Sequence, residues 1–185
     1  MHTIKIKRPT FEDREALSRF FRVVVTDTFE KEGIGHLRED RENEISDKIA
    51  FLDTDLNSNG QARFFYIAEK EGRIVGTIEH GPANALIREG SGGALKNDTE
   101  VGTVFVHPGE QGRGIGSLLV NVMALTLRTK GFERFCLDSG YASAQRTWTK
   151  KFGEPDFVLR NYWGEGGDHK IWTVRLSELS IEFKV

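Results

Sequence analysis

The sequence predicts an α/β (α+β) fold whose elements run βααβββαβαββ, and three observations carry it. A chain of 185 residues buries a substantial core as one domain, residues 1–185, without covalent staples. Short apolar runs with strand-like alternation are interspersed with longer runs at helical spacing. The segment from Val104 to Leu119 joins a strand, a glycine-rich loop and the start of an amphipathic helix.

Taken in order, Ile4, Lys5 and Ile6 alternate as a short strand, which Pro9 stops. Thr10 and Asp13 form a capping-box-like start to a helix, and Leu17, Phe20, Phe21, Val24 and Phe29 give that helix an apolar face. Gly33 and Gly35 break it, and a second helix over about 40–52 turns Ile45, Ile49 and Leu52 inward. Residues 64–69 and 73–79 read as strands of a hairpin closed by Lys70-Glu71-Gly72. Residues 81–99 form a long glycine-bearing connection, of the kind that is often functional. After the strand 101–106 and the glycine loop, a helix carries Ile115, Leu118, Leu119, Val122, Met123 and Thr126 until Lys130-Gly131 closes it. Residues 132–137 are an apolar strand. Ser143 caps a short helix to about Phe152, and 156–162 and 170–176 read as strands.

The glycine loop points to a phosphorylated cofactor. Alternate glycines let successive N–H groups converge, and the following helix adds unpaired donors and a positive dipole end. A nucleoside-triphosphate loop needs Lys and then Ser/Thr after its last glycine; Ile115 follows Gly114 and Ser117 follows Gly116, so that reading fails. A dinucleotide fingerprint has Asp138 downstream for a ribose, but Pro108 to Gln111 displace its first glycine and Ser117 occupies its third.

Gln111-Gly112-Arg113-Gly114-Ile115-Gly116 resembles the Gln/Arg-x-x-Gly-x-Gly/Ala signature of the GNAT superfamily of acyl-CoA N-acyltransferases, and the element order is similar over nearly the whole chain. The resemblance implies a mixed, mostly antiparallel sheet with helices on both faces, splayed between strands four and five. It further implies acetyl-CoA as acyl-donor cosubstrate. Gln111, Gly112, Arg113, Gly114, Ile115, Gly116 and Ser117 would hold its pyrophosphate, and Phe105 and Val106 would lie beside its pantetheine arm.

Acyl transfer to a primary amine needs a base, because an alkylamine is almost wholly protonated at neutral pH. Backbone N–H groups near Phe105 and Val106 would polarise the carbonyl. Glu100, before the cofactor strand, and Glu79, at the end of the preceding one, are the candidate bases; otherwise they are a loop charge and a solvated strand end. His107 reads as a turn residue. Where the family places a tyrosine that protonates the leaving thiolate, this chain has Trp148, followed by Phe152-Gly153 in reversed order. An indole N–H cannot supply that proton. Tyr141 is the candidate substitute, with Tyr162 as another, and a thiolate leaving unprotonated is a third route.

A net charge of -2 gives no global attraction to nucleic acid or an anionic membrane. Lone Cys136 forbids a disulfide framework, and residues 1–8 are too polar for a secretory signal, so a cytoplasmic location is expected. No metal is expected. Asp55-Leu56-Asn57-Ser58-Asn59-Gly60 imitates half a calcium loop, but Tyr66 stands where a bidentate Glu belongs, and an Asx-rich turn accounts for it better. Cys136 reads as a core residue. Trp163 and Trp172 are expected to pack within the chain, a homodimer face being their other use. Two further readings stay open: an acyl-CoA sensor or scaffold without turnover, and an NAD-dependent oxidoreductase. The acceptor amine is not legible in the sequence.

Overall fold

The structure is a computed structural model describing residues 3–183; Met1 and His2, where the segment read as too polar for a secretory signal begins, lie outside the described residues. The strands are β1 (Lys5–Lys7), β2 (Phe64–Lys70), β3 (Arg73–Pro82), β4 (Thr99–Val106), β5 (Arg134–Ser139), β6 (Phe157–Leu159) and β7 (His169–Arg175). The helices are α1 (Arg14–Lys31), α2 (Arg38–Ser58), α3 (Ala85–Gly90), α4 (Ile115–Thr129) and α5 (Ala142–Phe152). The strands form one mixed seven-stranded sheet in the order β1-β2-β3-β4-β5-β7-β6. β4 and β5 are parallel, with Glu100 opposite Cys136, while β1–β2, β2–β3, β5–β7 and β6–β7 are antiparallel. None of the helices among the described residues is long and apolar enough to cross a membrane.

The contacts divide the chain into two compact units. Among the described residues the first comprises 3–80, 103–125 and 182–183. Its core joins Leu17, Phe20, Phe21 and Val24 of α1 to Leu52 and Leu56 of α2 and to Phe65 and Ile67 of β2. The Asp13 carboxylate accepts from the Thr10 N–H at 2.9 Å, so the expected capping interaction starts this region. α2 runs six residues past its expected end, through Ser58, because Leu56 is buried and Asp55 is committed to long-range partners. The fully buried Asp55 carboxylate accepts from the Phe65 N–H at 2.9 Å and pairs with the Arg8 guanidinium at 2.8 Å. The expected Asx-rich turn is thus mostly the last helical turn, ended by Asn59 and Gly60 in left-handed conformation.

The second unit comprises Gly81–Gly102 and Thr126–Ile181. Ala83, Ile87, Leu95, Cys136 and Ile171 form its apolar cluster. The long connection expected over 81–99 has structure of its own: β3 extends to Pro82, and the Asn84 side chain caps α3 by accepting from the Ile87 N–H at 2.8 Å. Tyr141, rather than Ser143, stands at the N-terminal cap of α5. The strand expected over 156–162 shrinks to Phe157–Leu159, since left-handed Asn161 and the Asp168 carboxylate, which accepts from the Asn161 N–H, fold the remainder into a turn. Trp172 is buried, and its indole N–H donates to the Gly153 carbonyl at 3.0 Å. Trp163 departs from the expectation of internal packing: it is 61% exposed.

Candidate active site

In the first unit, the glycine loop is held by its polar residues and left open at its glycines. His107 accepts from the Gly109 N–H through Nδ1 at 3.2 Å and caps the short 3-10 turn Pro108–Glu110, which is the turn role expected of it. Glu110 receives Lys70 at 2.9 Å and Arg113 at 3.3 Å, and the Lys70 hydrogen bond holds its carboxyl below the usual glutamate range. Gln111 donates to the Val106 carbonyl at 3.3 Å and accepts from Lys31 at 3.2 Å.

Gly112 and Gly114 have φ of 74° and 83°, and a Cβ at either would project into open space. These positions are therefore glycine for the backbone they adopt and for the space they leave. The Gly114 carbonyl accepts the Leu118 N–H at 2.9 Å, so the N–H groups of Ile115, Gly116 and Ser117 fall in the first turn of α4, where a helix offers them no carbonyl. A left-handed glycine pair leading into those donors fits a diphosphate.

Upstream on β4, Thr103 has φ of 49°. A left-handed β-branched residue inside a strand is a strained conformation that persists only where its surroundings enforce it. Here the Thr77 hydroxyl donates to the Thr103 carbonyl at 2.8 Å, and the Thr103 hydroxyl lies 3.4 Å from Glu79 Oε1. The distortion lies two residues before Phe105 and three before Val106. Phe105 packs edge-on to Phe21, with ring centroids 6.3 Å apart.

Glu79 is fully buried, not a solvated strand end, and Arg63 pairs with it at 2.6 Å. Burial pushes its carboxyl above the ordinary glutamate range, against the pull of Arg63, Lys48 and Thr103. Arg63 in turn lies 3.9 Å from the centre of the Phe51 ring. Removing the guanidinium leaves a buried carboxylate uncompensated. Arg63→Ala is expected to destabilise the fold by about 3 kcal/mol at neutral pH, the lower end of such losses, because Glu79 can take up a proton. Since the folded-state value lies above the unfolded one of about 4.3, stability falls as pH rises through that window, and the deficit shrinks towards pH ~4. Urea unfolding at both pH values checks this; equal deficits at both would contradict it.

In the second unit, Glu100 is buried in β4 rather than free in a loop. Its carboxylate accepts the Asn84 backbone N–H at 2.8 Å and the Asn84 side-chain amide at 3.2 Å. The same amide reaches Asp138 at 3.1 Å, and His169 Nε2 lies 2.9 Å from the same Asp138 oxygen. Asp138 therefore belongs to a polar cluster with Glu100, through the oxygen that Asn84 and His169 share. Tyr141 is half-buried at the start of α5. Trp148 stacks on Phe152 at 5.8 Å with planes 17° apart, a packing role. Tyr162 is 52% exposed beside Trp163.

Cys136 is buried, and desolvation, reinforced by Glu100, Asp98 and Asp138, pushes its thiol up to about 12. A thiol so raised is no nucleophile at neutral pH. Arg63, Asn84, Thr103 and His169 were missed by sequence reasoning, and only Asn84, a cap residue before an apolar run, carried a local signal.

No curated protein sequence matches the chain significantly. Among solved structures, the PaiA N-acetyltransferase from Thermoplasma acidophilum, in complex with coenzyme A, is similar at TM-score 0.67 and 16% identity, over 94% of this chain and 99% of that one. YncA from Salmonella typhimurium, solved with acetyl-CoA, is similar at TM-score 0.66 and 14% identity, over 99% of each chain. An N-acetyltransferase from Staphylococcus aureus Mu50 is similar at TM-score 0.67 and 17% identity, over 94% and 99%. Identities this low speak to the fold alone. The sequence itself carries the rest: residues 19–153 match the family described as acetyltransferase (GNAT), a stretch that takes in both the strained strand and the glycine loop, and the chain belongs to that family.

Proposed function

We propose that this protein is an N-acetyltransferase that moves an acetyl group from acetyl-CoA to a primary amine, both bound at once. The observation that carries the reading is the left-handed pair Gly112 and Gly114, open to ligand and leading into the first turn of α4, in a chain of the acetyltransferase (GNAT) family. The family match runs through both compact units, which supports residues 1–185 as one domain.

In this reading the backbone of Gln111, Gly112, Arg113, Gly114, Ile115, Gly116 and Ser117 binds the pyrophosphate, and the extended backbone at Phe105 and Val106 meets the pantetheine arm. When bound, acetyl-CoA supplies a thioester whose carbonyl carbon gains the C–N bond as the C–S bond breaks. Backbone N–H groups beyond Thr103 stabilise the charge on the carbonyl oxygen. Glu100 accepts the proton that the amine loses, directly or through water. Tyr141 donates to the departing sulfur.

Glu100 is preferred to Glu79 as base because Glu79 is spoken for: fully enclosed, paired to Arg63 and set against strained Thr103, it braces the strand. The burial that raises Glu79 towards the range of a useful base is what favours it as the second reading. The donor half is tested by thermal unfolding with acetyl-CoA, CoA, NADH or no ligand. A ligand at ~100 times its dissociation constant adds about 2.7 kcal/mol, worth several degrees. Both CoA species are expected to raise Tm and NADH to leave it unchanged; a rise with NADH alone would overturn the assignment.

A further inference from the structure

Beyond the general base itself, the second unit contains a hydrogen-bond chain in which every direction is fixed by chemistry. Trp163 can only donate, and its indole N–H lies 3.0 Å from His169 Nδ1. Nδ1 is therefore an acceptor, which places the proton of a neutral imidazole on Nε2, facing Asp138 at 2.9 Å. The two protons of the Asn84 amide go one to Asp138, at 3.1 Å, and one to Glu100, at 3.2 Å. The Asn84 oxygen is held by the Ile87 N–H at 2.8 Å, so the amide cannot turn over without losing all three bonds.

The chain also accounts for an otherwise odd surface. Trp163 is 61% exposed, yet it is held at its N–H by a histidine that is only 5% exposed. Gly140 permits the approach, since a Cβ there would lie 2.5 Å from the indole nitrogen. The turn carrying Trp163 is itself pinned: Asp168 accepts from Arg160 at 2.6 Å and from the Asn161 N–H at 2.9 Å, and Gln145 donates to the Asp168 carbonyl at 2.8 Å. An amide cannot pass a proton between the two carboxylates, so the chain is a brace rather than a relay.

We propose that Trp163, His169, Asp138 and Asn84 are positioning residues that fix the carboxylate of Glu100 for proton abstraction, Trp163 acting from the surface by selecting the His169 tautomer. The inference rests on Glu100 being the base. Misplacing a reacting group by about an ångström costs on the order of 10²-fold.

The test has two arms on the full chain. In the first, kcat and KM are measured for wild type, Glu100→Gln, His169→Ala and the double variant, using acetyl-CoA and the fastest acceptor among ethanolamine, spermidine and a lysine-containing peptide. His169→Ala is expected to lower kcat about 10- to 100-fold with KM for acetyl-CoA within about twofold, and to cost nothing further in the Glu100→Gln background. Equal losses in both backgrounds would overturn the positioning role while leaving the base intact. Wild-type kcat in Glu100→Gln would instead overturn the base reading, and turnover with none of the amines would overturn the enzyme reading; the inference falls with either. The second arm needs no turnover: long-range ¹⁵N NMR is expected to show His169 protonated at Nε2 in the wild type and altered by Trp163→Phe. Protonation at Nδ1, or no response to Trp163→Phe, would overturn the inference on its own.

Discussion

Replacing Glu100 with glutamine is expected to lower kcat by about 10²- to 10⁴-fold while acetyl-CoA binding is unchanged. Glutamine keeps the size of the side chain and an oxygen that can still accept from the Asn84 N–H, now at 2.8 Å from the carboxylate, but its amide nitrogen replaces the oxygen that accepts from the Asn84 side chain at 3.2 Å, so the loss joins lost basicity to one lost hydrogen bond, of which basicity is the larger part. The control is Glu79→Gln. There the buried Arg63 loses its charge partner, so that variant loses stability first and any fall in activity should follow the unfolded fraction. Initial rates with saturating acetyl-CoA, read beside circular dichroism, separate the two. A Glu79→Gln protein that is folded and inactive, beside an active Glu100→Gln, would exchange their roles.

Gly114→Glu is expected to weaken acetyl-CoA binding by at least about a thousandfold, ~4 kcal/mol, while the chain still folds. The added Cβ meets no atom within 4 Å, and the carboxylate beyond it fills and charges the cradle in front of the α4 donors. The left-handed backbone at φ 83° adds a cost of about 1–2 kcal/mol for any residue with a Cβ. Gly114→Ala carries that same backbone cost with only a methyl group and is expected to lose far less affinity. Calorimetric titration with acetyl-CoA checks both variants; undiminished affinity in folded Gly114→Glu would remove the pyrophosphate from this loop.

What was legible in the sequence was what is local. Gly112 and Gly114 announce a backbone conformation that few other residues adopt, and the apolar period of α1 and α4 needs no partner to be read. What was not legible depends on contacts distant in sequence. Asp55 looks like a turn residue among Asn57, Ser58 and Asn59; only Arg8, 47 positions away, and the Phe65 N–H make it part of a helix. Thr103 is the kind of residue that propensity assigns to a regular strand, and its left-handed backbone is held from Thr77 and Glu79. α3 is too short to show a period. The brace around Glu100 unites Asn84 with Asp138, 54 positions apart, and Asp138 with His169, 31 apart, spacings that match no motif.

The same division explains the two readings of Asp138. By spacing alone it suited a ribose hydroxyl; in the fold it is bonded by Asn84 and His169 inside a carboxylate cluster. Trp148, the departure from the family pattern, stacks on Phe152, a contact distant from any proton-donating role, and Tyr141 stands at the N-terminal cap of the same helix.

The central claim, direct acetyl transfer to an amine, is tested most directly by following the release of free CoA thiol from acetyl-CoA with a chromogenic disulfide, with and without a panel of primary amines. Release is expected to depend on the amine, to saturate in both substrates with intersecting double-reciprocal lines, and to be matched mole for mole by acetylated amine. Tight acetyl-CoA binding with no amine-dependent release would contradict it and leave the acyl-CoA sensor; parallel lines would contradict transfer within a ternary complex.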